Sequence, residues 1–486
     1  MTYSTGSAAI EHGNLPRPLR RIALFSKEIH AMYPDEASSQ RVRQARRVAL
    51  SSYLGTMMEY YDFLLYGSAA ALVFNKVFFT DLSPLVGTIV SLATLATGHF
   101  ARIGGAILFG HFGDRLGRKT VMVTTMTIMG LSSGIIGLLP TYAQVGSLAP
   151  VLLVLLRVIQ GIAVGGEYGG AVLMTTEHAR DGRRGRFGSA AAMGAPSGSV
   201  LSYGIMFLVA SLPTPDLVSW GWRIPFLGSF VLLGVGLYFR SRVPESPLFV
   251  RQRSESRPVM PIVALVRRYP RHVVQAVFFQ AGAYCGQGVF GVFIISYAPH
   301  AGFSAKTALL AVTFAQIAAI ATTPFYATLS DRVGRKPVVL GGIIATALFT
   351  YPCFLLVDTG STVAVVAALF VYFAAINTCV MAVAPVLLTE LFPTEIRYTA
   401  VSTTYQIAQV LGSGLSPLAA AAIFAATGGT SAVWVAVFMI AAAVVSGGFA
   451  CFLPETRTSD LAAATPSAAD SSRRNPNSSA AVGLAE

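Results

Sequence analysis

The chain has 486 residues, 54% of them hydrophobic and only 12% charged, where soluble proteins carry about 25% charged residues. That composition excludes a soluble globular protein and points to a lipid-embedded one. The formal charge of +13 then raises the question of where the cations sit rather than how many there are.

Residues 1–47 include "RPLRRIALFSKEIHAMYPDEASSQR". This stretch lacks the apolar core and small-residue cleavage site of a signal peptide and reads as a retained cytoplasmic arm. Beyond it, apolar runs recur that are long enough to cross a hydrocarbon core of ~30 Å as helices. They fall at residues 48–74, 85–111, 120–140, 150–173, 188–211 and 222–242. A polar, basic central loop over 243–270 is followed by a second set at 271–297, 307–328, 336–357, 361–388, 399–427 and 430–453. The Ser/Ala/Asn-rich tail, 454–486, has the composition of a disordered segment. The expected fold is all-α, with twelve transmembrane helices in two six-helix halves, 48–242 and 271–453. Cys285, Cys353, Cys379 and Cys451 are scattered singly through apolar runs, without metal or redox spacing. Packing roles are expected for them, with no metal and no cofactor.

Twelve spans put both termini on one side. Of the 35 Lys and Arg, only Lys76, Arg223 and Lys306 fall on the far side, and Arg102 and Arg157 within spans. By the positive-inside rule, both termini and the central loop are cytoplasmic, in a plasma (inner) membrane. Cations facing anionic lipid account for the basic charge and leave no role for nucleic acid.

The first span contains "LGTMMEYYDFLLYG", in which Glu59 and Asp62 share one helix face that Tyr66 continues. An ionisable residue at the bilayer centre costs ~2.5–3.5 kcal/mol and is a functional candidate by default. With a rise of 1.5 Å per residue, Glu59 lies ~17 Å, Asp62 ~21 Å, Arg102 ~13 Å and Arg157 ~24 Å from the cytoplasmic ends of their spans. These levels pair Glu59 with Arg102 and Asp62 with Arg157. Burial disfavours an ionised carboxylate and a nearby guanidinium favours it. A substrate anion that draws the arginine away leaves the carboxylate to take a proton, which links the two movements. Arg also offers a bidentate fork to a carboxylate. Asp62, Glu59 and Glu167 are therefore proton-coupling candidates, Asp62 first, and Arg102 and Arg157 substrate-binding candidates with Tyr66. Fixed structural ion pairs are the competing reading. His99, one turn before Arg102, has the near-neutral intrinsic pKa of a proton relay, but a lone His at such a position is more often a hydrogen-bonded packing residue, and that reading comes first. The four-residue glycine spacing of "GIAVGGEYGG" marks a close-packing seam.

The second set of spans holds no mid-membrane acid or base. It supplies neutral polar groups instead: Gln280, Tyr284, Gln287, Gln316, Asn377, Gln406 and Gln409. Gln280, Tyr284, Gln287, Asn377 and Gln406 join the substrate-binding candidates.

The two sets repeat each other. "GDRLGRK" at Gly113 recurs as "SDRVGRK" at Ser330, "EHARDGRRGR" has its counterpart in "ELFPTEIRYT", and "VPESP" in "LPET", at offsets of 217, 213 and 210 residues. A parallel duplication of this kind is a secondary-transporter architecture, with its site near the midplane. Asp114, Arg115, Arg118 and Arg184 in the first copy, and Asp331, Arg332, Arg335 and Arg397 in the second, are expected to form gating ion pairs.

"GDRLGRK", its second copy, "RVIQG" and the PES and PET motifs resemble the major facilitator superfamily. Within it, "EYYDFLLYG", "ARIGGAILFGHFGDRLGRK", "GWRIPF" and "VPESPLF" are similar to the metabolite:proton symporters. The resemblance covers roughly residues 45–455 and departs from the usual wording at Tyr60, Tyr168 and Ile103, where Trp, Trp and Pro are usual. It implies alternating access and proton-coupled import of a small organic acid, such as a shikimate-like carboxylate, by a monomer rather than an enzyme. A zwitterion symporter, a drug:proton antiporter on the same fold and a non-transporting receptor are the alternatives.

Overall fold

The computed structural model describes residues 34–116, 118–177, 184–242, 261–393, 396–429 and 431–458. Two units divide the chain, Met1–Val48 and Ala49–Glu486. Among the described residues twelve long helices carry the fold: α1 Pro34–Leu72, α2 Pro84–Leu116, α3 Arg118–Ile136, α4 Leu148–Leu173, α5 Arg184–Val209, α6 Thr214–Ser241, α7 Pro270–Tyr297, α8 Ala305–Val333, α9 Arg335–Asp358, α10 Thr362–Leu391, α11 Arg397–Ala426 and α12 Val433–Cys451. Each overlaps one expected span. Stretches within α2 to α12 are long and apolar enough to cross a membrane. α1 falls short of that hydropathy because it opens on the polar run Pro34–Arg47 and carries Glu59 and Asp62.

The outer surface is apolar: Leu348 is 73% exposed, Val231 69% and Leu208 67%. Faces of this kind are tolerable only against lipid, since water would penalise every such side chain.

Several helices are interrupted, and the interruptions have local causes. α5 breaks at Met193, three residues before Pro196, and α10 at Ala382–Val383, just before Pro385. Proline lacks the N–H and crowds the preceding turn. In α11 the segment Val410–Gly414 winds as a π-helix, immediately before Pro417, whose ring excludes a bond to the Ser413 carbonyl. α7 and α10 carry π-segments too, at Val289–Phe293 and Val371–Asn377. Such wide turns often lie at functional sites, and these sit on helices that supply the neutral polar side chains.

The glycine seam of α4 divides its work. A Cβ on Gly161 would lie 2.1 Å from the Gly98 carbonyl oxygen, and one on Gly165 2.1 Å from that of Arg102, so these two press α4 onto α2. Gly169 instead abuts Ser402 of α11. α4 breaks between them at Gly166–Glu167, which turns the small-residue face from one neighbour to the other. Gly161→Ala is expected to force α2 and α4 apart and cost about 1–3 kcal/mol by overpacking, read as a lower unfolding temperature in detergent. Gly104→Ala, with nothing within 4 Å of the new methyl, serves as the control and should be neutral or slightly stabilising.

The first six and last six helices meet at both ends. Near the repeats, the backbone N–H groups of Gly185 and Arg186 on α5 donate to the Asp331 carboxylate on α8, both at 3.0 Å. At the opposite end, Gly67 of α1 abuts Val292 of α7, and Tyr203 of α5 abuts Gly291. A cavity lies between these two zones.

Candidate functional site

The cavity is small, about 40 Å³, and is lined by α1, α4, α5, α7, α8 and α10. Its polar lining is Thr56, Tyr60, Tyr168, Tyr284, Gln287, Gln316, Thr323, Asn377 and Thr378. No charged side chain is in its lining among the described residues. Among the sequence candidates, Tyr284, Gln287 and Asn377 thus line the cavity, whereas Arg102, Arg157, Tyr66, Gln280 and Gln406 do not. Gln280 Nε2 turns back to the Ala276 carbonyl of its own helix at 2.6 Å. Gln406 Nε2 reaches the Val164 carbonyl of α4 at 3.5 Å, a contact between the halves. Gln287 Oε1 is buried without a partner among the described residues, and Asn377 Nδ2 donates to the Ala283 carbonyl at 3.0 Å.

Behind the cavity wall, Arg102 Nη1 meets Glu59 Oε1 at 2.9 Å, with both side chains at most 5% exposed. This is the pair that helix depth predicts. The second expected pair, Asp62 with Arg157, is not formed. Asp62 Oδ1 accepts from Ser229 Oγ of α6 at 3.0 Å. Arg157 Nη1 donates to Gln160 Oε1 at 2.5 Å, and Gln160 Nε2 donates to Ser133 Oγ at 2.5 Å. Ser133 lies within hydrogen-bonding reach of Asp62. A short polar chain therefore separates acid and base where the depth estimate has them in contact. Depth places residues along a helix but says nothing about which way the helix is turned. The Arg157 guanidinium lies 4.2 Å from the centre of the Tyr66 ring, a cation–π contact. Its Nε and Nη2 have no partner among the described residues. Tyr66 Oη in turn meets Thr94 Oγ1 at 2.7 Å.

Glu167 departs from the sequence reading in another way. Its Oε1 pairs with Arg240 Nη2 of α6 at 3.2 Å, and Arg240 Nη1 also donates to the Ser51 carbonyl at 3.2 Å. The sequence counts Arg240 with the loop cations, yet it is 3% exposed in the last turn of α6. A proton-coupling role for Glu167 must therefore operate through this pair. His99 takes the packing role expected of it. Its Nδ1 lies 3.1 Å from the Leu95 carbonyl, and its ring fills the space over Gly414 of α11.

The second half reaches the buried pair through tyrosines. Tyr405 of α11, which sequence reasoning passes over, is stacked on Tyr168 with ring centres 3.3 Å apart. Its hydroxyl lies 3.5 Å from Glu59 Oε1 and 3.5 Å from the Tyr60 hydroxyl. The departures from the family wording at Tyr60 and Tyr168 were the available signal, because both rings enter this cluster.

At the repeat-bearing end, Arg335 is the hub. Its Nη1 lies 2.7 Å from Asp331 Oδ1, and its Nε and Nη2 make a fork on Glu390, each at 3.3 Å. Arg184 Nη1 approaches Glu390 Oε1 to 3.8 Å, and Thr456 Oγ1 donates to Glu390 Oε2 at 2.8 Å. Glu390 and Glu455 thus hold this end together although absent from the sequence candidates, and both stand in the quoted repeats. Arg397 Nε donates to the Phe392 carbonyl at 2.9 Å. Arg332 is exposed, and its carbonyl accepts from Arg457. The side chains of Asp114, Arg115 and Arg118 lie outside the described residues.

Glu455 caps α9 from the segment after α12, accepting from the N–H groups of Arg335 at 2.9 Å and Lys336 at 3.1 Å. Partial burial pushes its pKa up, but the backbone N–H groups of Arg335, Arg457 and Lys336 outweigh that and hold it below the ordinary 4.5. A depressed folded-state pKa means stability that is present above about pH 4.5 and lost as pH falls through the lower, folded value. Thermal unfolding in detergent should therefore show a steeper acid-side loss for the native chain than for Glu455→Gln.

Two contacting sets of six membrane helices, with a buried polar cavity between them and a cluster of ion pairs at one end, make the architecture of a membrane transporter. The comparisons agree. A model of sugar (and other) transporters matches residues 48–260, and the model of the major facilitator superfamily matches residues 276–477. The shikimate transporter of Escherichia coli (strain K12) is 34% identical over 431 residues, 87% of this chain and 98% of that protein. The proline/betaine transporter of the same strain is 31% identical over 437 residues, 87% of this chain and 86% of that protein. A solved structure of the proton:xylose symporter XylE bound to 6-bromo-6-deoxy-D-glucose has the same fold. Its TM-score is 0.70 at 20% identity, covering 87% of this chain and 98% of XylE. The chain belongs to the major facilitator superfamily; it is a multi-pass membrane transporter of small molecules, not an enzyme.

Proposed function

We propose that the protein is a proton-coupled importer of a small carboxylate-bearing metabolite, working as a monomer by alternating access. In this reading both termini, the arm 1–47, the loop 243–270 and the tail 454–486 face the cytoplasm, as the cation distribution supports. The observation that carries it is the uncharged polar cavity between the halves, set against the buried Glu59–Arg102 pair and Asp62. Tyr60, Tyr284, Gln287 and Asn377 offer hydrogen bonds to substrate hydroxyl and carboxyl groups. Asp62 is assigned the travelling proton: the Ser229 hydroxyl rather than a cation holds it, and a hydroxyl serves a carboxylate as donor and a carboxylic acid as acceptor. Glu59 holds Arg102 in place. The arginines act on substrate from behind the wall, by their field or by turning in when the halves move.

One observation favours a zwitterionic substrate. The cavity has no cation in its lining but three tyrosines and Phe373, the kind of surface that receives a quaternary ammonium. Counterflow in proteoliposomes against labelled shikimate, other organic acids, proline and betaine decides between the readings. Uptake driven by an inward proton gradient supports symport, expulsion supports an exporter, and no flux with any probe overturns the proposed substrate class.

A further inference from the structure

Gln409 of α11 lies where the cavity wall meets the buried ion pair. It is 3% exposed, and its side-chain amide contacts three hydroxyls. Ser413 Oγ donates to Oε1, which orients the amide with its NH₂ group toward the tyrosines. Nε2 then donates to Tyr405 Oη at 2.9 Å and to Tyr60 Oη at 3.3 Å. A phenol that accepts from an amide keeps its own proton for another partner. Tyr405, fully buried, has Glu59 Oε1 as that partner at 3.5 Å. Tyr60 lines the cavity, with the Tyr405 oxygen at 3.5 Å and the Tyr284 hydroxyl, also in the lining, within hydrogen-bonding reach. The contacts of the Tyr405 hydroxyl with Glu59 and Tyr60 are long, as such bonds often are in a protein without ligand.

We propose that Gln409 is a positioning residue. By occupying both phenol oxygens as acceptors it aims one hydroxyl proton, on Tyr60, into the cavity and the other, on Tyr405, at Glu59. A substrate oxygen that takes the Tyr60 proton withdraws it from Tyr405, and cavity occupancy is thereby felt at the Glu59–Arg102 pair. Tryptophan at position 60 would break this chain, because an indole N–H cannot accept. The relay accordingly depends on one residue, Tyr60, at which this chain departs from its family's usual wording. The inference rests on the reading of the cavity as the substrate site.

Gln409→Met keeps the volume and removes the amide, Tyr60→Phe keeps the ring and removes the proton, and Asn377→Ala tests the cavity alone. Counterflow with labelled shikimate and labelled betaine gives KM and Vmax for whichever probe the native protein carries. Gln409→Met and Tyr60→Phe should each raise KM about tenfold, one hydrogen bond's worth at roughly 1.4 kcal/mol per decade, with Vmax changed less than threefold. The double variant should be no worse than either single, as residues acting through one bond are non-additive. If Asn377→Ala raises KM while the other two leave it unchanged, or if their effects multiply, the relay is wrong and the cavity reading stands. If all three leave KM unchanged, or the native protein carries neither probe, the cavity reading falls and the relay with it.

Discussion

Asp62→Asn should uncouple transport from the proton gradient while leaving exchange of substrate intact. Asn keeps the shape of the side chain and still accepts from Ser229, whose Oγ lies 3.0 Å from Asp62 Oδ1, but it cannot bind or release a proton. A gradient of one pH unit supports about tenfold accumulation per proton carried, the equivalent of about 1.4 kcal/mol. For Asp62→Asn that ratio should fall to one in proteoliposomes, with counterflow within a few-fold of native. Glu59→Gln should behave differently, because Glu59 is the counter-ion of Arg102 at 2.9 Å. Removing one member of a buried pair strands the other at a cost of about 3–5 kcal/mol. Uptake and counterflow should therefore fall together, with a lower unfolding temperature. If instead Asp62→Asn accumulates substrate normally and Glu59→Gln alone loses coupling, the proton belongs on Glu59.

The second large effect is expected at Arg335. Its guanidinium holds Asp331 at 2.7 Å and Glu390 through two bonds of 3.3 Å. Asp331 also takes the N–H groups that begin α5. Arg335→Gln leaves two largely buried carboxylates without their main cation, a loss of about 3–5 kcal/mol. It also weakens the join between the halves at that end. Arg335→Lys should recover only part of this, since an ammonium cannot make the fork on Glu390 while holding Asp331. The readouts are thermal unfolding in detergent and thiol labelling of Ala192→Cys, which places a reporter in the cavity lining. Faster labelling from the repeat-bearing side is the expected result. Unchanged labelling with lowered stability would make Arg335 a structural residue without a gating role.

Much of the site was legible in the sequence because charge in an apolar run is conspicuous and costly. Glu59, Asp62, Arg102 and Arg157 stand out on that ground alone, and all four are buried on neighbouring helices. The Glu59–Arg102 pair was legible too, since both residues sit at one depth on helices that touch. What depth could not supply is rotation. Arg157 turns to Gln160 and Tyr66 rather than to Asp62. Arg240, read as a loop cation, turns inward at the last turn of α6 to meet Glu167. Tyr405 escaped notice, and Gln409 stood out only as one neutral polar residue among seven, because such residues are common in membrane helices and nothing local separates a relay from a packing bond.

The sequence by itself determined the twelve spans, the twofold repeat and the placing of ionisable groups in the first half. These follow from hydropathy, charge and recurrence, properties that each segment carries on its own. Only the tertiary structure decided which acid faces which base, that the cavity lining holds no charge among the described residues, and that Arg335 and Glu390 form the centre of the ion-pair cluster. Those outcomes depend on the turn of each helix about its axis, set by breaks such as Gly166–Glu167 and the π-turn before Pro417. A few tens of degrees of rotation exchange one buried partner for another while leaving the hydropathy of the segment unchanged.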